Sequence, residues 1–235
     1  DRQKTRCIYS CLDYIVLGEL LPVLVGRTLD QVAHKLIFQP LAFSRTCFRP
    51  LAEEINVAAT EPGNQIEATM LRKLHYPEYN VRHELICGEV HDGNAYFMGG
   101  VAGNAGLFST VEELAVYCEM ILSRGRVGDT CILSPQSMSM IMTPFCHQGS
   151  DRFSIGWHLP AEGWSGGDAL SDMAVGHTGF TGCSIYIDLR WNVAIILLTN
   201  RVHSQSSNDL IKKVRKEFNY MVLADHHLCP ERTCC

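Results

Sequence analysis

Apolar and polar positions change period along this chain, and the sharpest change falls in residues 174–200, AVGHTGFTGCSIYIDLRWNVAIILLTN. Cys183, Ile185 and Ile187 alternate with Ser184, Tyr186 and Asp188, a period of two that predicts a half-buried strand. After the turn-like DLRWN comes the uninterrupted run VAIILL, which predicts an antiparallel partner covered on both faces and therefore central in its sheet. Upstream the period is helical. Ser10 caps a helix with Asp13 in capping-box position, Leu12, Ile15, Val16, Leu20 and Leu24 line one face, Pro22 predicts a kink, and Gly26 ends it. A Thr28/Gln31 box opens a second helix through Val32, Leu36 and Ile37, stopped by Pro40. Residues 41–65 read as loop with an extended piece at 55–60. Ile66, Met70, Leu71 and Leu74 then give a short helix. Leu114, Ala115, Cys118, Ile121 and Leu122 share a face of the helix capped by Ser109-Thr110, and Ser134-Pro135 starts the next. Residues 153–159 read as a strand and 163–172 as loop. Residues 207–223 form a closing amphipathic helix with Leu210, Ile211, Val214, Phe218 and Met221 inside. Helices first, strands late and a closing helix is an α+β order.

Composition narrows this little. The chain of 235 residues is 46% hydrophobic and 19% charged, with a net charge of −5, which suits a globular protein with a real core. No basic stripe points to nucleic acid, and no apolar run approaches the roughly 18 residues of a membrane span. Eleven cysteines are scattered without zinc-ribbon spacing, the Cys7…Cys11 pair being the nearest approach to it. Read as thiols, with Cys118 a small core hydrophobe, they lean towards a reducing compartment. The tail HHLCP…CC would suit a soft metal or a frayed terminus.

Two glycine-rich stretches carry candidate chemistry. In Gly176-His177-Thr178-Gly179-Phe180-Thr181-Gly182, three glycines let backbone come close to something beside an imidazole and two hydroxyls. The same residues also fit a bulged strand with a hydrogen-bonded histidine. Residues 88–110, GEVHDGNAYFMGGVAGNAGLFST, lack both the dinucleotide fingerprint and the P-loop G-K-[ST]. They read as a shaped wall beside a pocket, the other reading being a long surface loop.

These pieces together resemble serine hydrolases of the penicillin-binding protein and class C β-lactamase type, including their esterase relatives, over nearly all of residues 8–222. The marks are Tyr9-Ser10-Cys11 ahead of LDYIVLGELL, the segment GEVHDGNAYFMGGVAGNAGLFST, and His177-Thr178-Gly179. The resemblance implies an antiparallel sheet flanked by helices with a mostly helical lobe, a site between them, and acyl transfer by a serine in an S-x-x-K pair. It implies Tyr9 as base or proton relay, His177 and Thr178 where relatives carry Lys or His followed by Thr, and the Phe180 N–H as one oxyanion donor. Cys11, Asn94, Thr178 and Gly179 would touch substrate, and residues 100–106 would shape the cleft wall. No cofactor or metal is implied. The implied partner is a small-molecule ester or amide; nothing indicates an oligomeric state, and relatives are often exported or periplasmic.

Two departures stand out. No Ser-x-x-Lys occurs anywhere in the sequence, so the nucleophile is expected upstream. The chain then reads as one N-terminally truncated domain over 1–224, with about 1–150 helical lobe and cleft loops, 151–224 strands and terminal helix, and 225–235 a tail. Truncation predicts an unpaired sheet edge and an exposed apolar face on the terminal helix. Second, Cys11 stands where relatives usually have Asn, and a thiol is a poor substitute for an amide that donates and accepts at once. The expected function is a serine-dependent esterase, D-alanyl peptidase or β-lactamase-like hydrolase. The alternatives are a non-catalytic relative that binds in the cleft, and a thiol or metal protein.

Overall fold

The computed structural model describes residues 9–50, 56–75, 81–148, 151–203 and 210–228. The chain divides into two units, residues 10–110 with 200–207, and residues 1–9, 111–199 and 208–235. The extended piece expected at 55–60 has no strand over 56–60, and Ile55, the start of the terminal helix at Ser207 and the tail cysteines lie outside the described residues.

In the first unit, α1 (Cys11–Val25) begins at Ser10, whose hydroxyl accepts from the Leu12 N–H, and ends at Gly26 in the left-handed conformation. Leu12, Val16, Leu20 and Leu24 are exposed and Gly18 is its buried residue, which corrects the expected inward face. The helix is apolar nearly all round, so sequence period alone does not select a face. α2 (Leu29–Ala33) carries the Thr28/Gln31 capping box and runs into a π-helical turn, His34–Phe38. The wider turn shifts the register, so Phe38 is buried and Leu36 faces out. α3 (Gln65–Lys73) inverts its expected face: Glu67 and Ala68 are buried while Ile66, Met70 and Leu74 are exposed. Glu67 is drawn in by Arg82, 2.6 Å away and equally buried. α4 (Gly93–Phe97) lies within the segment read as loop, and β1 (Cys47–Phe48) pairs with β2 (Leu107–Phe108).

The second unit holds a six-stranded antiparallel sheet, the α+β architecture expected, whose strands follow one another in space as in sequence. They are β5 (Cys146–Gln148), β6 (Asp151–Phe153), β7 (His158–Leu159), β8 (Ala174–Thr178), β9 (Ser184–Asp188) and β10 (Val193–Leu197). The single strand expected over 153–159 is a hairpin instead. Ser154 N–H donates to the Trp157 carbonyl, with Gly156 in the left-handed region at φ 79°. Helix α5 (Val111–Leu122) precedes a small hairpin of β3 (Arg126–Val127) and β4 (Thr130–Cys131), and α6 (Pro135–Met142) starts at its Ser134 cap.

β9 is covered on both faces. Ile187 packs with Val175, Leu159 and the α5 and α6 residues Cys118, Ile121 and Met138. On the opposite face Tyr186 packs with Trp164, Ile195 and Leu223 of the closing helix α7 (Leu210–Asp225). β9 is thus not half-buried; β10 does pack on both faces, Ala194 and Ile196 on one and Val193 and Ile195 on the other, but it is the last strand of the described sheet rather than a central one. Two polar alternates of β9, Tyr186 and Asp188, go inside with partners. Tyr186 donates to Ser165 Oγ, and Asp188 accepts from the Ser171 N–H and hydroxyl and from the N–H groups of Arg190 and Trp191. In α7 the buried residues are Ile211, Arg215, Asn219 and Leu223, while Leu210, Val214 and Met221 of the expected inner face are exposed.

Gly176 faces Tyr186 across β8 and β9, and a Cβ there would lie 2.2 Å from the tyrosine ring. Gly176→Ala must displace a fully buried side chain, and is expected to destabilise by about 1–3 kcal/mol. Urea unfolding checks this; an unchanged midpoint would show that the ring is not tightly held.

Candidate active site

Three adjacent strands deliver an aromatic and imidazole cluster. Register places Phe153 of β6 opposite His158 of β7, and His158 opposite Gly176 of β8, one residue before His177. The Phe153 and His158 rings meet edge-on with centroids 4.4 Å apart, and the His158 and His177 rings are 5.0 Å apart. Tyr9 lies against all three, at 6.0 Å from Phe153, 5.6 Å from His158 and 6.2 Å from His177. Tyr9 and His177, singled out from sequence, are therefore neighbours, and His158 is a third member that sequence reasoning missed. It lies in the stretch 153–159 read as a strand, where no motif marks it.

Both imidazoles are disposed to stay neutral. His177 Nδ1 is 3.1 Å from the Thr178 carbonyl; a carbonyl only accepts, so Nδ1 carries the proton and Nε2 is left as an acceptor. Burial pushes the His177 pKa below its usual value, against the pull of that carbonyl. Burial pushes His158 down further, to about 4, helped by the neighbouring His177 and opposed by Asp151. The His158 Nε2 is buried without a hydrogen-bond partner among the described residues.

Beyond Thr178, which pairs with Ser184 at the end of β8, the chain turns tightly. Gly182 N–H donates to the Gly179 carbonyl at 3.1 Å and Gly179 N–H to the Cys183 carbonyl at 2.7 Å. Gly182 has φ 120°, a conformation closed to other residues. Phe180 is half exposed at the tip. Beneath the turn, Arg215 of α7 is 6% exposed and its Nη2 donates to the carbonyls of Gly179, Gly182 and Cys183 at 3.0, 2.8 and 3.0 Å. This arginine also escaped sequence reading, because a lone Arg on a helix reads as surface.

Tyr9, His177, Thr178, Gly179 and Phe180 belong to the unit with the sheet, and Cys11 and Asn94 to the other. Cys11 is exposed at the first position of α1, and Asn94 is exposed on α4. The glycines of residues 100–106 have a packing duty. A Cβ on Gly103 would lie 2.0 Å from the Tyr14 carbonyl, and one on Gly18 would lie 2.9 Å from Gly103 N, so α1 rests backbone to backbone on this loop. The segment before it is tied by buried polar groups: Arg82 donates to the Val90 and His91 carbonyls and stacks 4.0 Å over Tyr96, and His91 Nε2 is 2.6 Å from Glu61. Burial raises the pKa of Cys118 to about 12, that of an inert core thiol. Among the described residues, no group of three or more His, Cys, Asp or Glu could hold a metal, and no helix is long and apolar enough to cross a membrane.

Proton NMR titration of the histidines should find His158 titrating near pH 4 and His177 below 6.5. In the unfolded chain both take up a proton near 6.5, so the stability that this pair contributes should fall as pH drops from about 6.5 towards 4, the pair adding no further change below that. A His158 that titrates at or above 6.5 contradicts the buried, neutral pair.

Comparison with known proteins shows the family. The family model described as Beta-lactamase matches residues 1–218. A protein of Escherichia coli strain K12, provisionally named a D-alanyl-D-alanine carboxypeptidase, is 33% identical over 205 residues, which cover 84% of this chain and 45% of that protein. An N-acetylmuramyl-L-alanine amidase of Bacillus subtilis strain 168 is 31% identical over 208 residues, 85% of this chain and 45% of that protein. The chain thus spans about half the length of these relatives. The crystal structure of a β-lactamase from Mycobacterium bovis shares the fold at a TM-score of 0.64 and 18% identity, covering 96% of this chain and 66% of that one. A family match across nearly the whole sequence, on a fold shared with a solved β-lactamase, places this chain in the beta-lactamase family of serine hydrolases.

Proposed function

We propose that this chain carries the proton-transfer and oxyanion side of a serine-dependent acyl hydrolase whose attacking serine lies in upstream sequence. The observation that supports this most is Tyr9 packed against His158 and His177 in the unit that also carries the β8–β9 turn. The serine hydroxyl attacks an ester or amide carbonyl, and its proton passes through the Tyr9 oxygen to the leaving alcohol or amine. The carbonyl oxygen, now negative, is held by the Phe180 N–H and a second donor from upstream. Water then cleaves the acyl-enzyme by the same relay run backwards. Thr178 and Gly179 line the approach to this turn. A neutral His177, where relatives carry Lys or His, lacks the cation that a lysine would offer a carboxylate, which favours uncharged esters over carboxylate-bearing β-lactams.

A second reading, a non-catalytic relative that keeps the site for binding, draws on Cys11 in place of a substrate-gripping Asn. One experiment separates the two. Residues 1–235 and the protein extended through its upstream sequence are each treated with a serine-directed phosphonate and a chromogenic ester. The extended protein should be labelled stoichiometrically at an upstream serine, and Tyr9→Phe should lower its kcat by about 10²–10⁴-fold. Residues 1–235 alone should show neither labelling nor turnover. No labelling of either protein favours the binding reading. A labelled serine within residues 1–235, with turnover lost on its replacement by Ala, overturns the upstream nucleophile.

A further inference from the structure

We propose that Arg215 is a positioning residue for the oxyanion donor: by holding the carbonyls of the β8–β9 turn on the α7 side, it aims the Phe180 N–H at the opposite side, where substrate is bound. The argument is one of peptide geometry. In a trans peptide the C=O of one residue and the N–H of the next point in opposite directions, and the group between them is planar. Every described peptide bond of this chain is trans. The Gly179 carbonyl points at Arg215 Nη2, 3.0 Å away, so the Phe180 N–H of the same peptide points away from α7. The carbonyls of Gly182 and Cys183 point at the same nitrogen, which fixes the peptides at both ends of the turn.

Without such a restraint this turn has unusual freedom. It contains Gly179 and Gly182, the latter at φ 120°, and a glycine-flanked peptide can flip with little steric penalty. A flip of the Gly179–Phe180 peptide would replace a donor with a carbonyl oxygen at the site where negative charge develops. The guanidinium opposes this flip more than a neutral donor would, because its charge is permanent and buried, and each carbonyl dipole offsets part of its lost hydration. The turn's own hydrogen bonds run the same way: the Gly179 carbonyl also accepts from Gly182 N–H, and the Cys183 carbonyl from Gly179 N–H. Arg215 has no role in touching substrate; it acts through the peptide it holds.

This inference rests on the hydrolase reading, and its test keeps the two apart. The protein extended through its upstream sequence is made as wild type, Arg215→Lys and Arg215→Met. Chromogenic-ester kinetics and amide exchange over residues 178–184 are measured on each, and thermal unfolding confirms that each is folded at the assay temperature. Arg215→Met should lower kcat by about 10–100-fold with KM changed less than about threefold, since the lost interaction serves the transition state and a misplaced group costs up to about 10²-fold. Amide exchange in the turn should rise at least tenfold (roughly the loss of one restraining charge-assisted bond) while β9 and β10 stay protected. Arg215→Lys keeps the charge with fewer donors and should fall between the two. Folded Arg215→Met with unchanged kcat, or with only KM raised, overturns the positioning role. If the wild type itself shows no turnover, the hydrolase reading fails and exchange alone decides the clamp: unchanged exchange in Arg215→Met overturns it, and a selective rise upholds it.

Discussion

A permanent positive charge is buried under a glycine turn, and much of the second unit is arranged to tolerate it. Arg215 leaves water at a cost of several kcal/mol, offset by carbonyl oxygens of Gly179, Gly182 and Cys183 that a regular hairpin would direct elsewhere. Four residues on, Asn219 donates to the Gly166 carbonyl, so the same face of α7 holds a second stretch of irregular backbone. One helical stripe, Ile211, Arg215, Asn219 and Leu223, therefore alternates packing with backbone tethering. This is why the helix shows solvent its Leu210, Val214 and Met221 side chains. The inner face was claimed by polar groups with backbone to satisfy.

The same logic explains which parts of the fold were legible in the sequence. Element type came through well wherever a local signal was strong. The Ser10 and Ser134 caps, the Thr28/Gln31 box and the left-handed Gly26 all start or stop helices where their side chains or backbone demand it. Which face goes inside was legible only where burial and hydrophobicity coincide, as at Cys118 and Ile121. It failed at Glu67, Arg215, Asn219, Tyr186 and Asp188, all buried with partners distant in sequence. A paired polar group inside is indistinguishable by pattern from an unpaired one outside. β9 is the clearest case. Its Tyr186 and Asp188 are buried because hydroxyl and carboxylate are answered, although it lies only second from the β10 end of the described sheet.

At the candidate site, motif and position pointed to Tyr9 and the His177-Thr178-Gly179-Phe180 run, and the structure sets the Tyr9 and His177 rings side by side. What no motif supplied was their support. His158 enters through strand register, and Arg215 through a helix more than thirty residues further along the chain; both relations exist only in three dimensions. The glycines also proved to have mixed duties. Gly176 makes room for the Tyr186 ring, Gly103 and Gly18 let a helix rest on a loop, and Gly182 supplies the turn conformation beside Phe180.

The central claim is that the β8–β9 turn, aimed from behind by Arg215 and flanked by Tyr9 and His177, receives the developing oxyanion. The most direct measurement is a crystal structure of the extended protein after reaction with a serine-directed phosphonate, whose tetrahedral phosphorus imitates the intermediate. The phosphonyl oxygen should lie about 2.7–3.1 Å from the Phe180 amide nitrogen, with the Tyr9 oxygen next to the modified serine and Arg215 still on the turn carbonyls. A phosphonyl oxygen held elsewhere, with the Gly179 carbonyl turned towards the adduct, would contradict the account.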